Sequence, residues 1–200
     1  MNKDIIICGV GGQGTVLASK IIAASAMRNG ETVHSAETIG MAQRGGPVTS
    51  HVRIGESAFS PLIPDGHADL LLAFEPAEAV RNLHFLAKGG TVFVNSSPVK
   101  PTTESLRDTG YDGTEMIAYL KSKCRTVAIS GDSVCARFGS SKFFNIIILG
   151  AACGSGCLGI PEETILTEME ARIKPKFLEK NKEAFAAGLK IGRESLGELG

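Results

Sequence analysis

Two hundred residues with 21 basic and 21 acidic side chains suit one domain. Such a chain is long enough to bury a sizeable core and carries no net field to draw nucleic acid or an anionic membrane. Aromatic residues are few, with no Trp, two Tyr and nine Phe, which argues against a stacking platform for single-stranded nucleic acid. No stretch reaches the ~18 uninterrupted apolar residues of a spanning helix, and the N-terminus lacks a secretory apolar region and cleavage site. A cytoplasmic chain with no nucleic-acid partner and no membrane is therefore expected.

The short, mostly β-branched run Ile5-Ile6-Ile7-Cys8 is stopped by glycine and reads as a buried strand. Leu17, Ile21, Ala24 and Met27 then recur at roughly helical spacing. Between them Gly9, Gly11 and Gly14 form G-x-G-x-x-G, with Gly12 and Gln13 inside it. Glycines let the backbone approach a ligand, and the free N–H groups of the following helical turn suit a phosphate. In a chain with 24 glycines the same string also fits a tight packed turn.

Gly30 is placed to cap the helix, and residues 31–35 follow as a second strand, completing strand–turn–helix–strand. A ribose-binding acid would close that strand in a dinucleotide site; Glu37 sits a little late and His34 occupies the more usual place. Residues 36–47 (AETIGMAQRGGP) lack periodicity and follow a strand's carboxyl end. There Gln43, Arg44, Gly45 and Gly46 can present a planar cationic fork to a carboxylate or phosphate. A flexible loop with a solvated arginine fits them equally. Residues 48–54 alternate as a half-exposed strand, with 58–60 able to pair back as a short antiparallel hairpin.

The continuous apolar run 69–74 is a strand buried on both faces. It ends at Glu75-Pro76, where a helix starts and runs to about Ala87, stopped by Gly89-Gly90. Glu75 is read either as a carboxylate satisfying that helix N-terminus or as a ligand group. Residues 91–95 form the next strand, 96–113 are loop-like, Thr114 caps a short helix, and 125–130 form another strand. Helices then follow over 134–138, 142–153, from Pro161 onward and over 175–196. Asn145 is the main polar interruption of a very apolar helix, either a satisfied buried amide or a site residue. With no repeat and no linker, residues 1–200 form a single domain. Its class is α/β, a three-layer αβα Rossmann-like sheet, mostly parallel with an antiparallel hairpin and a helical C-terminal region.

Several absences narrow the function. There is no G-x-S-x-G elbow and no Gly-Lys-Ser/Thr after the glycines. His34, His51, His67 and His84 have no metal spacing. Of the five cysteines only Cys153 and Cys157 lie close, on one face if both are helical. One pair is too few for an iron–sulfur cluster or a structural zinc, so no metal is assigned. Gly131-Asp132-Ser133 begins like a thiamine diphosphate motif, but Ser133 breaks its Gly-Asp-Gly. The chain offers an anion cradle and no self-contained catalytic set, which points to a subunit of a larger enzyme or to a binding module.

Four stretches carry a resemblance over nearly the whole chain: IIICGVGGQGTVLASKIIA, SAETIGMAQRGGPVTSHVRIG, DLLLAFEPAEAVRNL and FFNIIILGAACG. The sequence resembles the small (beta or gamma-type) subunits of 2-oxoacid:ferredoxin oxidoreductases, most of all the indolepyruvate kind. The resemblance implies oxidative decarboxylation of a 2-oxoacid, an aryl pyruvate, to acyl-CoA, with electrons passed to ferredoxin. It implies a large alpha subunit as partner, carrying thiamine diphosphate, Mg and 4Fe-4S clusters, with coenzyme A as co-substrate and no tightly bound cofactor in this chain. A homodimer is left open for the isolated chain. The cofactor-binding candidates are Gly9, Gly11, Gly12, Gln13, Gly14, Gln43, Arg44, Gly45, Gly46, Glu75 and Asn145, and no residue is given a catalytic role. Two other readings stand beside this one, a stand-alone Rossmann-like nucleotide-binding protein and a purely structural subunit whose glycine turn is only packed.

Overall fold

The computed structural model describes residues 1–37, 45–56, 58–99 and 110–199. A six-stranded sheet in the order β2-β3-β1-β4-β5-β6 consists of β1 (Lys3–Val10), β2 (Val33–Glu37), β3 (Pro47–Ile54), β4 (Ala68–Ala73), β5 (Leu86–Asn95) and β6 (Arg125–Ile129). β1, β4, β5 and β6 run parallel, whereas β3 is antiparallel to both of its neighbours. The helices are α1 (Thr15–Arg28), α2 (Pro76–Arg81), α3 (Thr114–Lys123), α4 (Gly131–Cys135), α5 (Phe144–Gly154), α6 (Glu162–Arg172) and α7 (Pro175–Leu199).

The strand period of two splits the core between two faces. Ile5 and Ile7 of β1, with Leu70, Leu72 and Phe93, pack against α1, α5, α6 and α7. Ile6 and Cys8, with Leu71, Ala73, Val92 and Val94, face Ile63, Ala79 of α2 and Leu120 of α3. Both faces of β1 are dry because each is covered by its own layer, which is why the run reads as continuously apolar rather than alternating. Among the described residues no single helix is long and apolar enough to cross a membrane.

Four local expectations change. Residues 48–54 do not pair with 58–60; they lie between β1 and β2, and the hairpin is β2–β3. The 58–63 segment spends its backbone on side chains instead. Arg53, held by Asp4 at 2.9 Å, donates to the carbonyls of Ser60 and Leu62, and Ile63 N–H donates to His51 Nδ1 at 3.2 Å. The helix after Glu75 ends at Arg81, a 3-10 turn spans Leu83–Phe85, and β5 passes straight through Gly89-Gly90. A Cβ on Gly90 would crowd Leu86 Cδ1 at 2.8 Å, so glycine serves the irregular pairing with β4 rather than a helix stop. Gly113, not Thr114, caps α3. Finally, α5 stops at Gly154, so Cys153 and Cys157 do not share a helix.

His51 is 5% exposed, edge-on to Phe85, and its pKa is lowered from 6.5 by burial. The neutral ring that accepts from Ile63 is the folded form. The unfolded chain therefore binds the extra proton first, and this contribution to stability is complete above pH about 6.5 and is lost as pH falls below it. Urea midpoints of the wild type should fall from pH 7 to about 5.5 more steeply than those of His51→Asn, which keeps an acceptor without titrating. Parallel pH profiles would refute the assignment.

Candidate functional site at the glycine turn

β1 delivers the chain to its carboxyl end, and residues 10–14 turn it into α1. The turn is shaped from inside by Gln13. Val10 N–H donates to Gln13 Oε1 at 2.6 Å, and Gln13 Nε2 donates to the Phe74 carbonyl at 2.9 Å. Gly9 leaves room for this, since a Cβ there would meet Gln13 Oε1 at 2.6 Å. The Phe74 carbonyl also accepts from Asn95 Nδ2 at 3.2 Å, and Asn95 Oδ1 in turn accepts from Gly131 N–H at 3.0 Å. Two amide side chains thus fasten together the carboxyl ends of the four parallel strands.

Gly14 caps α1 in the left-handed conformation, φ 88°, where a side chain is strained. A Cβ there would also overlap Asn145 Nδ2. Asn145, in the first turn of α5, therefore leans directly over the start of α1. It is 6% exposed, and its Oδ1 has no hydrogen-bond partner. α1 has no side-chain cap and no acidic residue in its first turn, so among the described residues no side chain caps its leading N–H groups. A buried amide that has given up water without a replacement is costly on its own. Oδ1 accepts only, so a ligand would complete it with a donating N–H or O–H while an anionic group of the same ligand sits at the open helix N-terminus.

A cavity of about 530 Å³ opens at this point, lined by Gly12, Gln13, Gly14 and Asn145 on one side and by Arg172, Lys174, Phe177 and Asn181 of the α6–α7 junction on another. Lys142 also lines it, and among the described residues no acidic side chain does. Lys142 and Lys174 make no ion pair among the described residues. A second cavity of about 230 Å³ shares Gly12, Gln13 and Lys142 and continues past Phe74, Asn95, Ser97 and Asp132. Together they offer an extended, cation-bearing path over the turn with apolar flanks (Leu17, Phe143 and Phe177 in one, Phe74 and Phe144 in the other).

The structure brings Gly9, Gly11, Gly12, Gln13, Gly14 and Asn145 together. Gly46 joins them through Gly11 N–H, which donates to its carbonyl at 2.8 Å, and Gly45 directly precedes it in the chain. Gln43 and Arg44 lie outside the described residues. Glu75 is near in sequence to Phe74 but lines neither cavity. It is 3% exposed and caps α2, accepting from Glu78 N–H at 3.0 Å and from the Tyr111 hydroxyl at 2.5 Å. Burial and that hydrogen bond push the Tyr111 pKa well up. Burial raises the neighbouring Glu78 against the pull of Arg81, and pushes up the Cys8 thiol, which donates to the Glu78 carbonyl. This polar knot lies on the α2 face of the sheet and fastens the strand end.

Sequence reasoning missed Lys142, Arg172 and Lys174. Lys142 stands three residues before Asn145 and could have been found from that spacing. Arg172 and Lys174 carry no local signal, because only the return of α6 brings them to the turn.

Two features depart from a dinucleotide fold. The antiparallel β3 stands beside β1, and β2 lies at the sheet edge. β2 runs to Glu37 and so does end in an acid, later than the residue 35 expected. That carboxylate accepts from Ser19 Oγ of α1 at 3.2 Å. Among the described residues no group of three or more His, Cys, Asp or Glu could hold a metal ion.

Residues 4–191 match the model of the pyruvate ferredoxin/flavodoxin oxidoreductase family. The chain is 34% identical over 197 residues to the indolepyruvate oxidoreductase subunit IorB of Thermococcus kodakarensis, covering 97% of this chain and 98% of that one. In fold it is similar to the gamma subunit of a keto/oxoacid ferredoxin oxidoreductase from Geobacter sulfurreducens, with TM-score 0.70, 23% identity and coverage of 96% and 99%. It is also similar to part of the 2-oxoglutarate:ferredoxin oxidoreductase of Magnetococcus marinus, solved with 2-oxoglutarate, coenzyme A and succinyl-CoA bound. There the TM-score is 0.74 at 20% identity, with 96% of this chain but only 31% of that chain covered.

Proposed function

Because the chain belongs to the pyruvate ferredoxin/flavodoxin oxidoreductase family, we propose that it is the small subunit of an enzyme that oxidatively decarboxylates a 2-oxoacid to acyl-CoA. In this reading the substrate is an aryl pyruvate such as indolepyruvate, the name carried by the relative that is 34% identical over almost the full length. A large alpha subunit holds thiamine diphosphate, Mg and the 4Fe-4S clusters and passes electrons to ferredoxin, in the cytoplasm. This chain's own residues do not suit those groups: its cysteines are dispersed, and Gly131-Asp132-Ser133 opens α4 behind a Ser130 cap.

Its own contribution is to hold coenzyme A. The observation that carries this is the unpartnered Asn145 Oδ1 over the uncapped start of α1, where a pantetheine amide or a hydroxyl can donate to it, inside a cavity with Lys142, Arg172 and Lys174 and no acid among its described lining residues. The helix N-terminus suits a diphosphate, the cations suit further phosphate charge, and the flanking apolar surface suits adenine and the pantetheine arm. The similarly folded Magnetococcus marinus enzyme, solved with coenzyme A, supports this choice of ligand. Arg44 joins the site on sequence grounds, two residues before Gly46, whose carbonyl is fixed on the turn.

The test is reconstitution with the large alpha subunit of the same organism, followed by steady-state kinetics with indolepyruvate, pyruvate and 2-oxoglutarate. Indolepyruvate should give the highest kcat/KM, and Arg44→Ala should raise the KM for coenzyme A about tenfold with assembly intact. An unchanged KM in an assembled complex removes Arg44 from the site, and a preference for 2-oxoglutarate removes the aryl-pyruvate assignment.

A further inference from the structure

Glu168 of α6 is a buried carboxylate, 4% exposed, that serves two arginines at once. Its Oε1 accepts from Arg28 Nε at 2.6 Å and its Oε2 is paired with Arg172. Arg28 ends α1, and its side chain is half exposed. Arg172 ends α6 and lines the cavity over the glycine turn. A surface arginine is ordinarily free to swing into solvent, and a surface ion pair does little to stop it. This one is different on one side, because its partner is buried and fixed from behind by a second guanidinium. Arg172 is thereby held at the cavity wall with further N–H groups of its fork unspent. Lys174 lies two residues on, and Lys142 stands between the two cavities.

The cavity then carries anion-binding groups from two separate elements. One is the N-terminus of α1 with Gly12 to Gly14; the other is Arg172 and Lys174 at the α6–α7 junction. A single phosphate group would engage one of them. Two separated anionic groups on one ligand would engage both, and coenzyme A carries two such groups, its diphosphate and its ribose 3′-phosphomonoester.

We infer that Glu168 is a positioning residue that holds Arg172 to read the 3′-phosphomonoester, so that the site selects coenzyme A over dephospho-coenzyme A. This rests on the coenzyme A reading above.

The test uses the reconstituted complex with coenzyme A and dephospho-coenzyme A as alternative acceptors. The wild type should prefer coenzyme A in kcat/KM. Arg172→Gln should reduce that preference at least about tenfold, through KM for coenzyme A and not through kcat. Glu168→Gln, which leaves Arg172 in place but unheld, should reduce it about threefold or more in the same way. Arg28→Gln removes the group that fixes Glu168 from behind but leaves the Glu168–Arg172 pair, so it should lower Tm and reduce the preference by less than Glu168→Gln does.

A wild type that uses both acceptors equally overturns the inference. So do Arg172 and Glu168 variants that change both acceptors by the same factor, or an Arg28→Gln variant that matches Glu168→Gln in preference. If Asn145→Ala raises the KM for coenzyme A while Arg172→Gln leaves the preference intact, only this inference falls. If variants at neither element alter any coenzyme A parameter in an assembled complex, the coenzyme A reading falls with it.

Discussion

Gly14→Ala should raise the KM for coenzyme A by well over about tenfold in the reconstituted complex and cost about 1–3 kcal/mol of stability. Two effects add at this position. The φ of 88° is one that a side chain adopts only with strain, and the new Cβ would overlap the Asn145 amide. Neither neighbour can yield freely. Gln13 pins the turn to the Phe74 carbonyl at 2.9 Å, and Asn145 sits in the first turn of a helix buried along most of its length. Either the start of α1 tips or Asn145 leaves the cavity, and each outcome dismantles the pairing of helix terminus and amide.

The double variant Gly14→Ala/Asn145→Ala separates the two effects. It removes the overlap and keeps the backbone strain, so part of the stability loss should return while coenzyme A binding stays poor. A single variant with wild-type KM would show that the turn is packing alone.

The start of the site was legible in the sequence because it is local. Strand, turn and helix occupy residues 3–28, and each is specified by its own neighbours: β-branched residues, glycines, then helical spacing. The choice left open at Asn145, buried amide or site residue, is not a local matter. It turns on whether a partner exists across the cavity, and Oδ1 has none. The place of β2 was illegible for a related reason. Residues 47–54 alternate as any half-exposed strand does, and nothing in that pattern says that they insert beside β1 and push residues 33–37 to the edge. The over-long helix after Pro76 has a different cause. Leu83, Phe85 and Leu86 sit at spacings that suit a helix, and the cost of ending it early is offset by pairing Leu86 and residues 91–94 with β4. In sequence Arg172 and Glu168 are ordinary charges near the end of α6. Only the fold shows Glu168 joining Arg172 to Arg28, which lies 140 residues from Glu168 in sequence.

Gly188→Leu should unfold the domain or cost it at least about 4 kcal/mol, the largest stability effect of any single substitution proposed for it. α5 and α7 cross with glycines on both sides, at Gly150 and Gly154 on one helix and Gly188 and Gly192 on the other. A Cβ on Gly188 would run into the Ile147 carbonyl, one on Gly192 into that of Ala151, and one on Gly154 into that of Leu189. These obstacles are backbone atoms inside regular helices, so no rotamer change relieves them and the helices themselves must part.

Gly188→Ala decides between two opposed terms. Helix propensity alone would favour alanine by about 1 kcal/mol, whereas parting two packed helices costs about 1–3 kcal/mol or more. A net loss in urea denaturation, with unchanged m-value, is expected, and a gain in stability would show that the crossing has slack. The same crossing sets the distance between two walls of the cavity, because α5 carries Asn145 and α7 carries Phe177 and Asn181. A folded Gly188→Ala protein should therefore also bind coenzyme A less tightly than the wild type, although residue 188 lines neither cavity beside the turn.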